Sequence, residues 1–283
     1  MDVRVVCGML ESQPIDRVIE LVRFLQESGV SASVEVGTQA EEDSRRSIDD
    51  LRSSGPVVVA VLLPLLASPD ARLRSVTAAA LAAWTCFVDE PTQAAIVEEL
   101  SVIPAGIGRD ELAARVLALG EVGAEVRDWL GHPDPAIRAC AAIFVDDAAG
   151  TRELLSALRE PRVADAWFSD RPEQFAGQVR FSLLPALLTH GLSFAELLPV
   201  AVAIAGVADQ WTVNHDWGLL LDEAFDPDNP PGSASDLGEP QREFLRALLA
   251  NDQLWDPTNS NVRRALKDAG LPELREGVVA LVG

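Results

Sequence analysis

Residues 57–84 read VVVAVLLPLLASPDARLRSVTAAALAAW and decide the fold. The first eleven residues are apolar almost throughout, and Ser68, Pro69 and Asp70 then interrupt the run. Serine and aspartate favour turns and helix N-caps because their side-chain oxygens accept hydrogen bonds from free backbone N–H groups. Apolar residues then return at helical spacing as far as Trp84. The stretch therefore predicts two helical segments joined by a short turn.

The same outline recurs in residues 120–145, which read GEVGAEVRDWLGHPDPAIRACAAIFV. Asp134 and Arg138 follow Asp70 and Arg74 by 64 residues each (134 − 70 and 138 − 74). Two further helical patterns, near residues 91–100 and 109–119, leave room for one more helix pair between the copies. The period is then about 32 residues, within the range of stacked-repeat proteins, whose helix pairs cannot bury their apolar faces alone.

An arginine opens the second helix of each copy, at the end of the helix dipole that disfavours positive charge. Asp70 precedes Arg74 by four residues, and Asp134 precedes Arg138 by four. This spacing predicts a salt bridge across the first turn of each helix.

These residues resemble HEAT repeats: an apolar first helix that carries Pro64, an aspartate in the turn, and an arginine early in the second helix. Residues 241–272 also resemble the last segment of certain bacterial HEAT-repeat proteins of unassigned function. The resemblance implies an all-α fold, an α-solenoid of HEAT-like helix pairs (an α-α superhelix) that binds other macromolecules, and it implies no catalytic residues. An alanine-rich helical bundle is the alternative architecture.

We expect one domain over residues 1–283, in four parts: N-terminal cap helices (1–55), HEAT-like repeats (56–208), an irregular acidic insertion (209–240) and closing helices (241–283).

Among the individual elements, residues 3–10 fit a helix or a strand. A helix beginning after Pro14 is expected to end at Gly29, with some strand character in 30–37. A charged helix over 38–51, with pairs such as Glu41–Arg45, is expected to end at Gly55 and Pro56. Further helices are expected over 172–190, 193–207 and 217–225, and a long loop over 226–240.

The chain is strongly acidic, with 44 Asp and Glu against 23 Lys and Arg and a formal net charge of −21. Phosphate contacts need Lys and Arg, so neither nucleic acid nor an anionic membrane surface is an expected partner. A protein or peptide with a basic patch is favoured as the partner.

The odd, widely spaced set of three cysteines predicts reduced thiols and a cytoplasmic location. The N-terminus does not resemble a signal peptide, and the apolar run of residues 57–67 is too short to span a bilayer.

Residues 209–240 concentrate this charge, with eight acidic residues and neither lysine nor arginine. Four of the acids, Asp222, Glu223, Asp226 and Asp228, lie close together in sequence. Clustered oxygen ligands suit Ca²⁺, but the spacing does not follow the EF-hand pattern. A solvated acidic face is therefore the favoured interpretation, and we predict no metal and no cofactor.

The sharpest candidate site is the run Trp211, Asn214, His215, Asp216 and Trp217. A histidine beside an aspartate and an asparagine, between two tryptophans, is compatible with a binding or general-base site. The structural alternative is an inter-helix connection in which Asn214 or Asp216 caps the helix at 217–225 and both tryptophans are packed.

The leading functional prediction is a non-catalytic binding or scaffold protein that recognises a basic protein or peptide, with the nine residues of the acidic and tryptophan clusters as binding candidates. The first alternative is an inhibitor or immunity-type protein that neutralises a basic enzyme by acidic mimicry. The second is an enzyme with a site around His215 and Asp216.

Overall fold

The computed structural model describes residues 3–10, 13–37, 42–255 and 260–283, and the side chains of residues 31–50 lie outside this description. The described residues are helical or irregular, and they contain no β-strand. This confirms the all-α fold class. The chain divides into two compact units, one formed by residues 1–145 and 168–175 and the other by residues 146–167 and 176–283. The prediction of a single domain stays a prediction.

Fifteen α-helices follow one another in the described residues. In the first unit they are α1 Val3–Met9, α2 Ile15–Gly37, α3 Glu42–Leu62, α4 Ala71–Trp84, α5 Glu90–Ser101, α6 Arg109–Glu121 and α7 Pro135–Ala142. In the second unit they are α8 Ala148–Leu158, α9 Pro161–Asp165, α10 Arg180–Leu188, α11 Phe194–Ala205, α12 Trp217–Ala224, α13 Glu239–Ala250, α14 Ser260–Asp268 and α15 Arg275–Val282.

Alternate helices pack on one another in the first unit, where α2 contacts α4 and α4 contacts α6, and α6 also contacts α7, the next helix along the chain. α4 is the centre of this row, and its alanines at positions 78–80 are fully or almost fully buried. Trp84, also fully buried, donates its indole N–H to the carbonyl of Leu25 at 2.7 Å. Gly29 makes this approach possible, because a Cβ there would lie 2.9 Å from the Trp84 ring.

The two copies of the Asp–Arg turn have a similar local geometry, in which the aspartate caps the helix and the arginine binds a backbone carbonyl of the turn. Asp70 accepts a hydrogen bond from the N–H of Leu73 and caps α4, and Asp134 accepts one from Ala136 and caps α7. The guanidinium of Arg74 donates to the carbonyl of Ser68 at 2.6 Å. That of Arg138 donates to the carbonyl of His132, the equivalent position, at 3.0 Å. Each arginine therefore closes its own turn onto the backbone.

The salt bridge predicted between Asp70 and Arg74 does not form. Arg74 pairs with Glu111 on α6, and Asp134 pairs with Arg109 at 2.5 Å. The repeat also loses its first helix in the second copy, because residues 122–126 form no α-helix and only a 3-10 segment, Arg127–Gly131, precedes the turn.

Several predicted helix ends were wrong. α2 continues past Gly29 to Gly37, so residues 30–37 have no strand character. Residues 3–9, which fitted a helix or a strand, form the helix α1. α3 runs through Gly55 and Pro56 and ends at Leu62. The predicted pair Glu41–Arg45 lies outside the described side chains. α10 begins only at Arg180, and residues 172–179 are irregular except for turns.

Residues 168–175 belong to the first unit although they follow α9 in sequence. Asp110 on α6 accepts hydrogen bonds from the Ser169 hydroxyl and the Asp170 N–H. Glu173 pairs with Arg23 on α2 at 2.6 Å. This segment therefore ties α2 to α6.

The second unit has a similar arrangement of alternate helices, in which α11 contacts α13, α13 contacts α15, and α12 contacts α14. Asn251, after α13, donates its amide to the carbonyls of Ala205 and Ala208 at the end of α11. The predicted short helix at 217–225 and the irregular stretch that follows it are both present, as α12 and the largely irregular residues 225–238.

Candidate functional site

A buried ion network fixes the start of α12. Arg180, at the start of α10, is 4% exposed and binds the carboxylates of both Asp165 and Asp216. Asp216 is fully buried, and its other oxygen accepts a hydrogen bond from the N–H of Trp217 at 2.6 Å, which caps α12. Burial raises the pKa of Asp216, and the bonds from Trp217 and Arg180 oppose that rise. Asp216 is thus a structural residue, and the cap predicted for it is confirmed.

The two tryptophans beside it have opposite environments. Trp217 is 1% exposed and donates its indole N–H to the carbonyl of Asp209 at 3.2 Å. Trp211 is 72% exposed, so the expectation that both tryptophans pack was wrong for this one. Asp209 accepts hydrogen bonds from the N–H groups of Trp211 and Thr212, and this turn holds the Trp211 indole at the surface.

His215 and Asp216 do not converge on a common point. His215 is exposed and stacks on Phe181, with ring centroids 5.1 Å apart. Asp216 is directed inward onto Arg180. A general base needs a partner that orients its ring, and Asp216 does not orient His215. The geometry gives no support to the catalytic alternative built on this pair.

Four acidic side chains after this network are exposed: Asp222, Glu223, Asp226 and Asp228. Within the described part of the chain, none of the four forms a salt bridge. Of the four, Asp226 also accepts a hydrogen bond from the N–H of Asp228 at 3.0 Å. Among the other acids of residues 209–240, Asp209 caps a turn, Asp216 caps α12, Asp236 caps a 3-10 turn, and Glu239 pairs with Arg242. We call Asp222, Glu223, Asp226 and Asp228 the acidic surface.

A cleft of about 370 Å³ between α12 and α14 adjoins the acidic surface. Asn214 and Asp222 line it from the α12 side, and Asn261, Arg264 and Asp268 from α14. Partial desolvation at the edge of the cleft raises the pKa of Asp222, and the neighbouring carboxylate of Asp268 adds to the rise. The α14 residues were missed in the sequence, which carries no local signal that α14 returns to α12.

The other sequence candidates have structural surroundings. His132 accepts a hydrogen bond from the N–H of Asp134, as expected for a turn residue. Cys7, Cys86 and Cys140 are free thiols. Within the described ranges, no group of three or more His, Cys, Asp or Glu side chains is placed to hold a metal ion, and no helix is long and apolar enough to cross a membrane.

A scan against protein-family models and searches of curated proteins and of solved structures gave no match to this chain.

Proposed function

We propose that the chain is a non-catalytic binding or scaffold protein that recognises a basic protein or peptide through the acidic surface. The observation that carries this proposal is the exposure of Asp222, Glu223, Asp226 and Asp228 without a salt bridge to any described residue. The net charge of −21 steers a basic partner toward the protein.

The position of two of these acids in α12 supports a role outside the fold. Asp222 and Glu223 lie in the last turn of α12, where the helix dipole disfavours negative charge. A cationic side chain bound there interacts favourably with both the carboxylates and the free carbonyls of the helix end. The exposed Trp211 adds the residue type that most often anchors a protein interface.

We further propose that the helices form an α-solenoid of HEAT-like pairs. Two observations support it: the capped Asp–Arg turn that occurs twice at a separation of 64 residues (134 − 70), and the packing of alternate helices within each unit. Stacked helix pairs of this kind present extended surfaces to other macromolecules. A cytoplasmic location, proposed with it, rests on the three free thiols.

The test is affinity capture from native cell extract at low and moderate salt. Wild type is compared with a variant that removes the acidic surface, Asp222→Asn, Glu223→Gln, Asp226→Asn and Asp228→Asn. A matched control neutralises four exposed acids elsewhere in the protein, three in the first unit (Glu90→Gln, Glu98→Gln and Asp128→Asn) and one in the second (Glu160→Gln). Both variants have the same net charge, so only the position of the lost charges differs.

We expect wild type and the control to retain a basic partner at low salt and release it as salt rises, while the acidic-surface variant retains none. Equal retention by both variants would mean that net charge alone acts, and the proposed site would be wrong. A retained partner that is a basic enzyme, inhibited on binding, would identify the protein as the inhibitor type that the same charge distribution allows.

A further inference from the structure

A second cleft, of about 500 Å³, lies in the second unit between α8 and the α10–α11 connection. Its apolar lining includes Leu155 and Leu192, and its polar lining includes Thr151, His190 and two arginines, Arg152 and Arg159. This volume is in the range of small-molecule sites, which combine apolar walls with a few placed polar groups. Two arginines and two aspartates line the cleft, so it is not acidic although the protein has a net charge of −21.

His190 is the buried polar group of this cleft, with 4% of its side chain exposed. The Thr151 hydroxyl donates to the carbonyl of Asp147 at 2.8 Å, so its oxygen accepts from Nδ1 of His190, 2.6 Å away. This places a proton on Nδ1 and fixes the orientation of the ring. Nε2 has no hydrogen-bond partner among the described residues, so it is the ring nitrogen available to a ligand.

Arg152 lies on α8, and Arg159 is the C-cap residue that directly follows this helix. Arg152, Leu155 and Arg159 are spaced three and four residues apart, which aligns them along the helix. Both arginines are exposed, and neither forms a salt bridge with a residue that the structure describes. Two free guanidinium groups on either side of a leucine form a surface that suits an anion attached to an apolar body.

Two carboxylates also border the cleft, and neither occupies the place of such an anion. Asp147 caps α8, where it accepts hydrogen bonds from the N–H groups of Ala149 and Gly150. Asp146 is 83% exposed and lies 3.9 Å from Nδ1, on the protonated side of the His190 ring. Arg152, Arg159 and Nε2 remain for a ligand.

We propose that this cleft binds a small organic anion, a carboxylate or a phosphate monoester on a short apolar body. The acidic group lies against Arg152 and Arg159, the apolar body packs on Leu155 and Leu192, and Nε2 of His190 contacts the ligand. The site is separate from the acidic surface, and it stands whether or not a basic partner binds there.

Histidine-selective ¹H–¹⁵N NMR of the intact chain tests the proposal, because the sequence contains only three histidines. The probes are phenyl phosphate and benzoate, with inorganic phosphate as the anion without an apolar body and benzyl alcohol as the neutral body. We expect a saturable shift of the His190 Nε2 signal with phenyl phosphate or benzoate, while the signals of His132 and His215 stay in place. The tighter of the two ligands identifies the acidic group.

The matched variants are Arg152→Gln with Arg159→Gln, and Arg246→Gln with Arg263→Gln. All four arginines are exposed and belong to the second unit, so both pairs change the net charge equally. We expect the first pair to weaken binding at least about tenfold and the second to leave it unchanged.

Three results would overturn the proposal. One is the absence of a saturable His190 shift with either aromatic anion. Another is equal binding by both arginine pairs. The third is equal affinity for phenyl phosphate and either inorganic phosphate or benzyl alcohol, because the anion and the apolar body would then not act together.

Discussion

Glu111 on α6 lies between two arginines in the core of the first unit. Arg74 binds it through two hydrogen bonds of 2.7 and 2.5 Å. Arg115 is 2% exposed, and its Nε lies 3.6 Å from the same carboxylate, a distance that gives an ionic contact without a hydrogen bond. Nη1 of Arg115 donates to the carbonyls at the end of α5, including that of Val102 at 3.0 Å. One carboxylate therefore balances two cations.

We expect Glu111→Gln to lower the free energy of unfolding by about 3–5 kcal/mol, because it leaves the buried Arg115 without a counter-charge. Urea denaturation followed by tryptophan fluorescence measures the change. Glu98→Gln, at an exposed position on α5, is the control and should stay within about 0.5 kcal/mol of wild type. A Glu111→Gln protein as stable as the control would show that the network adds nothing.

The sequence predicts interactions between neighbouring residues and does not predict those between distant ones. The turn residues Asp70 and Asp134 were recognisable as caps because a cap is a local interaction. The pair Arg74–Glu111 was not, because its members are 37 residues apart and meet only when α4 packs on α6. Asp216 was predicted as a possible cap for the same local reason, whereas its bond to Arg180 depends on the packing of α10.

The path of α3 shows how packing decides the ends of a helix. Gly55 and Pro56 are expected to end a helix, yet α3 continues through both. Gly55 lies against the 3-10 segment Thr85–Phe87, and a Cβ there would lie 2.3 Å from the Phe87 carbonyl oxygen. Glycine is required here for a close approach between two elements. Sequence patterns thus located most helices but misplaced ends that depend on a distant segment.

We expect Gly55→Ala to destabilise the protein by about 1–3 kcal/mol, since the added methyl group must displace backbone atoms. The direction is informative, because Gly→Ala inside an unobstructed helix normally stabilises by up to about 1 kcal/mol. Gly131→Ala is the control, because a Cβ there meets nothing within 4 Å. Thermal unfolding of both variants gives the comparison, and a stabilising Gly55→Ala would refute the close contact.

For the protein as a whole, the net charge could be predicted from the sequence, but the positions of the charged side chains relative to one another could not. The excess of acids is a matter of composition. The sequence also predicted a solvated acidic face, and the structure places Asp222, Glu223, Asp226 and Asp228 in solvent. The cleft around Arg152 and His190 was not predicted, because an arginine on α8, a second arginine at the C-cap of α8 and a histidine after α10 form no motif in sequence. The sequence likewise carries no local signal that residues 168–175 pack within the first compact unit.

We expect the melting temperature to rise by a few degrees when NaCl is increased from low to physiological concentration. A net charge of −21 repels itself more strongly in the compact state than in the unfolded chain, and salt screens that repulsion. Exposed salt bridges weaken at the same time, but each contributes only about 0–1 kcal/mol. A change of 1 kcal/mol corresponds to about 2–4 °C in a chain of this size.

The acidic-surface variant has a net charge of −17 (−21 + 4), so its melting temperature should respond less to salt. A melting temperature that falls with salt would mean that attractive ion pairs outweigh the repulsion.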